Sequence, residues 1–134
     1  MTNIIRVRKY ETRTFYPEAK YNAKYSMAVR AGNLVFLRGQ TGFDLDGRFH
    51  GVGDVTIQAD NACKCVKTLL KECGASVNNI CKITTYITDP RHREQVYDVI
   101  SKHFDGIYPC GTGVVVQALA TPEMLVEIDV SAVI

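Results

Sequence analysis

The sequence predicts one α+β domain in which a single β-sheet carries two helices on one face. Two segments have apolar residues at helical spacing, and the other apolar segments are short and resemble strands. No linker and no internal repeat separates these segments. A chain of 134 residues is long enough for one hydrophobic core, so residues 1–134 are expected to form one domain. The predicted order of elements is β-β-β-α-β-α-β-β.

Composition excludes several classes of protein. A hydrophobic share of 46%, a charged share of 22% and a net charge of +2 are ordinary for a globular chain. The basic residues are scattered, so neither nucleic acid nor RNA cleavage is indicated. The first residues lack the apolar region of a signal peptide, and no apolar run is long enough to span a membrane. We therefore expect a cytoplasmic protein.

The cysteines predict a reducing environment and no metal site. Their number is odd and no CxxC pair occurs, so most are expected to be small apolar core residues. Cys63 and Cys65 are two residues apart on a predicted helix and should point in different directions, which argues against zinc. The five cysteines are Cys63, Cys65, Cys73, Cys81 and Cys110.

The first part of the chain is predicted to form three strands. Residues 3–8 alternate apolar and charged side chains, which is typical of an edge strand. Residues 9–24 are rich in Tyr, Lys, Glu and Thr without periodicity, and we interpret them as an irregular loop. Strands at residues 26–30 and 34–38 follow, joined by a hairpin turn at Ala31-Gly32-Asn33.

Two helices are predicted in the middle of the chain. Asp54 is a suitable N-cap for the first helix, and Gly74 ends it. A strand at residues 82–89 follows, and the second helix covers about residues 92–104 until Gly106 stops it. The apolar face of the first helix is predicted to comprise Ala59, Ala62, Cys63, Val66, Leu69, Leu70 and Cys73.

The C-terminal stretch is predicted to form two strands joined by a short turn at Ala120-Thr121-Pro122-Glu123. In the second strand, apolar and polar side chains alternate across the sheet. Glu127, Asp129 and Ser131 therefore lie on the face opposite the helices. The apolar positions are Val126, Ile128, Val130, Ala132 and Ile134.

The face opposite the helices is predicted to be partly polar and partly apolar. A polar face of an antiparallel sheet is commonly exposed to solvent. Phe36 and Tyr86 are large, however, and Val114, Val115 and Val116 are apolar on both sides of their strand, which favours burial against another copy of the chain. The pattern alone leaves both alternatives open. The other side chains expected on this face are Arg38, Thr84, Thr88, Glu127, Asp129 and Ser131.

Three segments together resemble one protein family. They are Lys24-Tyr-Ser-Met-Ala-Val29, then Gly32-Asn-Leu-Val-Phe-Leu-Arg-Gly-Gln40, then Leu125-Val-Glu-Ile-Asp129 preceded by Gln117-Ala-Leu119. Their order and spacing are similar to those of the reactive intermediate/imine deaminase family, also called RidA, YjgF or endoribonuclease L-PSP. The resemblance covers about residues 25–134. It implies a chorismate-mutase-like α+β subunit that assembles as a homotrimer, with a ligand pocket at each subunit interface.

The resemblance also implies a chemistry. Family members of known activity hydrolyse enamines and imines, such as 2-aminoacrylate and 2-iminobutanoate, to 2-keto acids and ammonia without a cofactor or metal. At the matching positions, Tyr25 would hydrogen-bond the substrate and the Gly39-Gln40 turn would line the pocket. Glu127 would orient the attacking water as a general acid/base.

One residue departs from the family pattern. Family members bind the substrate carboxylate with an arginine in a Pro-x-Arg-Ser/Thr motif, a contact for which guanidinium geometry is suited. The matching residues are Pro109-Cys110-Gly111-Thr112, so Gly111 stands in place of the arginine. Without that cation, a carboxylate entering a partly buried site is unpaired, which disfavours binding. Small 2-imino acids are therefore not the expected substrates.

Arg38 and Cys110 leave alternatives open. Arg38 precedes Gly39, and strand parity places it on the same face as Glu127. Arg38 either supplies a replacement cation from the other wall of the pocket or neutralises Glu127 or Asp129 across the strands. Cys110 is either a reactive thiol or a passive residue that lines the pocket.

The predicted function is a cofactor-independent hydrolase or deaminase that acts on an enamine, imine or related small metabolite in an inter-subunit pocket. The alternative is a non-enzymatic protein that binds or senses a small metabolite there. Glu127 is the predicted catalytic residue. No metal, nucleic acid or membrane is expected as a partner. The predicted substrate-binding residues are Tyr25, Arg38, Gly39, Gln40, Cys110 and Gly111.

Overall fold

A computed structural model describes residues 3–134 and contains one six-stranded sheet. The sheet order is β1-β2-β3-β6-β4-β5, in which β4 and β5 are parallel and the other neighbours are antiparallel. The predicted α+β class and order of major elements are confirmed. The strands are β1 (Ile4–Glu11), β2 (Lys24–Ala31), β3 (Leu34–Leu37), β4 (Ile80–Ile87), β5 (Cys110–Val115) and β6 (Val126–Val133). The helices are α1 (Thr12–Phe15), α2 (Val55–Glu72) and α3 (Arg93–His103).

The long helix α2 forms the centre of the core. Its N-cap Asp54 accepts a hydrogen bond from the Ile57 backbone at 3.1 Å, and Gly74 follows its C-terminus with a φ of +80°. α2 packs on α3, β3 and β6. Every residue of the predicted apolar face is buried, which confirms the helical spacing seen in the sequence. No helix within residues 3–134 combines the length and apolar character needed to cross a membrane.

The last strand in chain order, β6, lies inside the sheet between β3 and β4. The predicted alternation is confirmed along β6, because Val126, Ile128 and Val130 are fully buried on the helix side. Ile134, the last position predicted to be apolar and inward, is the exception, since it follows the end of β6 and is 39% exposed. Glu127 and Asp129 are partly exposed on the other side. A strand with partners on both edges is rigidly positioned, so Glu127 projects from a fixed point near the middle of the sheet.

The short turn predicted between the two C-terminal strands is wrong. β5 and β6 are not neighbours, since β4 lies between them, and residues 116–125 form a longer connection than the short turn expected. The physical reason is the helix α3 between β4 and β5. A strand–helix–strand connection brings the second strand back parallel to the first, so β5 occupies the outer edge of β4.

The interpretation of residues 9–24 as an irregular loop is also wrong in part. β1 continues to Glu11 and pairs with β2, with Tyr10 opposite Tyr25. The one-turn helix α1 follows, and it buries Thr12 and Phe15. The sequence of this segment shows no alternation of apolar and polar residues because β1 is an edge strand whose side chains are mostly exposed on both faces.

Residues 12–23 form a lobe that Arg13 holds together. The Arg13 guanidinium donates hydrogen bonds to the carbonyl oxygens of Ala19 at 3.1 Å and Lys20 at 3.2 Å. The Arg13 backbone N–H donates to Asn22 Oδ1 at 3.1 Å, and Asn22 in turn donates to Glu11 at 2.8 Å. These contacts hold the 12–23 lobe together and tie it to the end of β1.

The cysteines are free thiols in two different settings. Cys63, Cys65 and Cys73 are buried, as predicted for core residues, whereas Cys81 and Cys110 are exposed. Burial raises the pKa of Cys63 to about 12 and that of Cys65 to about 11. Within the described part of the chain, no group of three or more His, Cys, Asp or Glu residues is arranged to hold a metal ion.

Candidate active site

Glu127 lines a surface pocket of about 350 Å3. Its backbone is fixed on both sides, since Glu127 is opposite Tyr86 of β4 and the adjacent Ile128 exchanges two 2.8 Å backbone hydrogen bonds with Gln40. Burial raises the pKa of the Glu127 carboxyl, the Arg38 guanidinium partly offsets this, and the Asp129 carboxylate adds to the rise. The carboxyl group is therefore easier to protonate than an exposed glutamate, as a general acid/base requires.

The turn after β3 is shaped around this carboxyl group. A Cβ atom at position 39 would lie 2.7 Å from Glu127 Cδ. Any residue other than glycine would therefore displace the Glu127 side chain from its observed position. Gln40 is buried, and its Nε2 donates a 2.8 Å hydrogen bond to the carbonyl of Arg38. Gly39 thus lines the pocket, whereas the Gln40 side chain holds the turn from behind.

Arg38 lies in the same pocket as Glu127, as strand parity predicted. The centre of its guanidinium is 5.0 Å from the ring centroid of Tyr10 and 5.3 Å from that of Phe15, within the range of cation–π contacts. Among residues 3–134, no carboxylate comes within the 4.0 Å of an ion pair with Arg38. Arg38 therefore makes no direct ion pair with Glu127 or Asp129, although its charge lowers the pKa of the Glu127 carboxyl, and its role as the substrate anchor stays a prediction.

Four tyrosines form the remaining wall of the pocket, and we call them the tyrosine wall. Tyr16 packs edge-on against Phe43 at 5.8 Å, and Tyr10 lies 5.9 Å from Tyr25 between ring centroids. Burial raises the pKa of Tyr10 and of Tyr16, with Arg38 partly offsetting the rise. These phenols are therefore neutral hydrogen-bonding groups at neutral pH. The tyrosine wall consists of Tyr10, Tyr16, Tyr21 and Tyr25.

Sequence reasoning identified only Tyr25 of these tyrosines. Thr12 and Ala120, which also line the pocket, were missed. A usable signal was present, because four tyrosines occur within residues 10–25 of a chain with seven in total. Without the path of the 12–23 lobe, the sequence did not indicate that they converge.

Cys110 and Gly111 are not brought to this pocket by their own chain. Both are exposed on the edge strand β5. Gly111 is level with Ile83 of β4, three residues from Tyr86, which is level with Glu127. That places Gly111 roughly 10 Å along the strands and roughly 10 Å across the sheet from Glu127. A Cβ atom at Gly111 would meet nothing within 4 Å.

The sheet face that carries Glu127 also carries exposed apolar side chains. Leu34 is 44% exposed, Phe36 48% and Val114 38%. Phe36 is opposite Ser131, and Val114 is opposite Tyr86, so these residues share the face of the acidic side chains of β6. One chain leaves this face open. Its burial against another copy remains a prediction.

The family model described as endoribonuclease L-PSP matches residues 17–134. The chain belongs to this family. A RutC family protein of Pyrococcus abyssi is 31% identical over 108 residues, which cover 81% of this chain and 84% of that protein. The mouse 2-iminobutanoate/2-iminopropanoate deaminase is 30% identical over 109 residues, covering 81% of this chain and 80% of the relative.

Solved structures agree with this assignment. A YjgF-family protein of Mycobacterium tuberculosis superposes with a TM-score of 0.79 at 28% identity, covering 98% of this chain and 100% of that one. Yeast Mmf1 gives a TM-score of 0.80 at 27% identity and covers 98% of both chains. Arg38, Gly39 and Glu127 lie within the residues matched by the L-PSP family model, whereas Tyr10 and Tyr16 precede them.

Proposed function

We propose that this L-PSP family member hydrolyses a carboxylate-bearing imine or enamine to a keto acid and ammonia, with no cofactor. The observation that carries the proposal is the presence, in one pocket, of the Glu127 carboxyl with a raised pKa and the Arg38 guanidinium without a carboxylate partner. The family supports this reaction class, since deaminases of 2-iminobutanoate and 2-iminopropanoate are among the relatives.

In the proposed mechanism, Arg38 binds the substrate carboxylate in place of the family arginine. Glu127 accepts a proton from a water molecule as the water oxygen attacks the imine carbon. Glu127 returns this proton to the nitrogen, which gives the neutral carbinolamine. Glu127 then takes the hydroxyl proton and delivers it to the amino group, so that the C=O bond forms, the carbon–nitrogen bond breaks and ammonia leaves. A raised pKa suits both steps, because the same carboxyl must accept a proton and then donate it. Tyr25 would hydrogen-bond the substrate from the pocket wall.

We also propose a homotrimer in which the β5 edge of a neighbouring copy closes the pocket. The exposed side chains of Leu34, Phe36 and Val114 support an interface on this sheet face. Cys110 and Gly111 would then reach the pocket of the adjacent copy. Sedimentation velocity tests this assembly, and we expect Phe36→Asp to convert the trimer to monomers. A wild-type monomer would contradict it.

A reducing compartment is part of the same proposal. The two exposed cysteines, Cys81 and Cys110, are free thiols, which persist where disulfides do not form. We therefore propose the cytoplasm as the location. Labelling of Cys81 and Cys110 with a thiol reagent in freshly lysed cells tests whether both are reduced.

The central experiment measures ammonia release from an imine generated in situ. We expect Glu127→Gln to abolish turnover while an inert product keto acid still binds, because the amide cannot shuttle the proton. Glu94→Gln, at an exposed position of α3, is the matched control and should keep wild-type turnover. If wild type releases no ammonia and Glu127→Gln alters only ligand affinity, the non-enzymatic binding protein is the correct alternative.

A second experiment addresses the departure at Gly111. The rate on 2-iminobutanoate is compared between wild type and Gly111→Arg, a substitution for which the backbone has open space. A gain of activity in Gly111→Arg shows that the water-positioning groups are intact and that the missing arginine limited the choice of substrate. High activity of wild type shows that the missing arginine has been replaced, and Arg38→Ala then tests whether Arg38 is the replacement.

A further inference from the structure

The pocket around Arg38 and Glu127 is larger than a four-carbon imine requires. Its volume of about 350 Å3 is in the range of pockets that enclose drug-sized ligands. With the carboxylate of 2-iminobutanoate on Arg38, its short aliphatic chain would leave most of the tyrosine wall without a contact from the substrate. The size of the pocket therefore indicates a ligand with a larger side group.

The exposure of the tyrosine wall indicates what that side group is. Tyr21 is 65% exposed and Tyr25 57% exposed, although both line a concave site. Large aromatic side chains left open in a pocket are well suited to contact a planar ring, because rings associate by offset stacking or edge-to-face packing. An aliphatic group would use less of this surface.

The tyrosine wall is held in place before a ligand arrives. Phe43 supports Tyr16, and the Arg13 hydrogen bonds to the Ala19 and Lys20 carbonyls fix the lobe that carries Tyr21. Tyr10 is both a neighbour of Tyr25 and a stacking partner of the Arg38 guanidinium. The anion-binding group and the ring-binding surface are therefore parts of one preorganised unit.

The cation of this pocket has a position that favours contact between a bound ligand and the tyrosine wall. Gly111 stands where the family resemblance implies an arginine, and Arg38, the cation that lines the pocket, is stacked on Tyr10. A substrate carboxylate bound to Arg38 would therefore bring its side group beside the tyrosines.

We propose that the substrate is an imino acid with an aromatic side group. This inference rests on the proposed function. The carboxylate binds Arg38, the imine carbon lies beside Glu127, and the ring packs against Tyr16, Tyr21 and Tyr25. The reaction consumes one water molecule and converts the aromatic 2-imino acid to the aromatic 2-keto acid and ammonia.

The test compares two imines made in situ by an amino-acid oxidase. L-Phenylalanine yields 2-imino-3-phenylpropanoate, and L-2-aminobutanoate yields 2-iminobutanoate. We expect wild-type kcat/KM to be at least about tenfold higher for the aromatic imine, the size of effect that an apolar group in a matching pocket produces. A preference for 2-iminobutanoate would overturn the inference and leave the proposed function standing.

Variants of one tyrosine show whether the wall causes the preference. Tyr21→Ala should bring the ratio of the two kcat/KM values close to one, mainly through a higher KM for the aromatic imine, and Tyr21→Phe should keep the wild-type ratio. Val52→Ala is the control, because Val52 is 72% exposed and lies outside the pocket. If Tyr21→Ala keeps the wild-type ratio of the two kcat/KM values, the tyrosine wall does not cause the preference for the aromatic imine.

A binding measurement separates this inference from the proposed function. If neither imine is hydrolysed, the proposed function fails, and calorimetry with phenylpyruvate and 2-oxobutanoate decides the ligand class. Tighter binding of phenylpyruvate, lost in Arg38→Ala, supports an aromatic acid as the ligand. Equal or weaker binding of phenylpyruvate overturns it.

Discussion

Gly39 and Glu127 occupy adjoining space at the centre of the pocket. A Cβ atom at position 39 would lie 2.7 Å from Glu127 Cδ and 2.9 Å from its Cγ, closer than any side chain tolerates. Gly39 does not have a positive φ, so this glycine is required by the neighbouring carboxylate and not by backbone conformation. The position of the Glu127 carboxyl group therefore depends on the absence of one methyl group.

Gly39→Ala should remove activity without unfolding the protein. The added methyl group displaces the Glu127 side chain, and a displacement of about 1 Å lowers kcat/KM by roughly 100-fold. Steady-state kinetics and thermal melts of wild type and Gly39→Ala check both expectations. Wild-type kinetics in Gly39→Ala would show that the Glu127 position is not critical.

Arg38→Ala should weaken substrate binding. Loss of a hydrogen bond to a charged group is worth about 1.5–3 kcal/mol, or roughly 10- to 100-fold in KM. Arg38→Lys should restore only part of the lost substrate affinity, because a lysine cannot make the two-pronged contact with a carboxylate. Arg91→Ala removes an exposed arginine that is paired with Asp89 and serves as the control. Equal KM values in all variants would exclude Arg38 as the anchor.

Glu127→Gln should stabilise the protein as the pH rises. Burial raises the pKa of Glu127 in the folded state, so the folded chain binds this proton more tightly than the unfolded chain. The contribution of Glu127 to stability is therefore largest below its unfolded pKa and is lost as the pH rises through the folded pKa. Glutamine does not ionise, so the Glu127→Gln variant does not lose this stability as the pH rises. Melting curves of both proteins between about pH 4 and about pH 8 should diverge at the upper end, and parallel curves would contradict the raised pKa.

Gln58→Leu should destabilise the fold strongly. Gln58 is fully buried, and its Nε2 donates hydrogen bonds to the carbonyls of Gly51 at 2.8 Å and Glu123 at 2.9 Å. Its Oε1 accepts a 2.9 Å bond from the Leu125 backbone. Leaving these buried backbone groups unpaired should lower the free energy of unfolding by about 3 kcal/mol or more. Urea denaturation measures the change, and Gln95→Leu at an exposed position should change stability little.

Local patterns predicted most of the fold. The apolar stripe of α2, the cap at Asp54 and the alternation along β6 each depend on residues close together in sequence, and each is confirmed. The neighbours of β5 and β6 were not predictable in this way. Their pairing is decided by the crossover through α3, and alternating side chains do not specify the strand beside which they lie.

In the candidate site, too, local patterns were predictable and the placement of distant residues was not. Strand parity placed Arg38 and Glu127 on one face, and both line the pocket. The distance of Gly111 from Glu127 was not predictable, because it depends on two strand registers. The tyrosine wall was missed because a segment without periodicity gives no information about the direction of its side chains.

The central position of β6 has a consequence for synthesis of the chain on the ribosome. The sheet has two parts that do not touch along their edges, β1-β2-β3 and β4-β5, and β6 joins them. Neither part can pair with the other until residues 126–133 have left the exit tunnel. The nascent chain must therefore keep the edges of β3 and β4 apart from those of other nascent chains, and a chaperone that covers exposed strand edges should bind it most strongly just before β6 emerges.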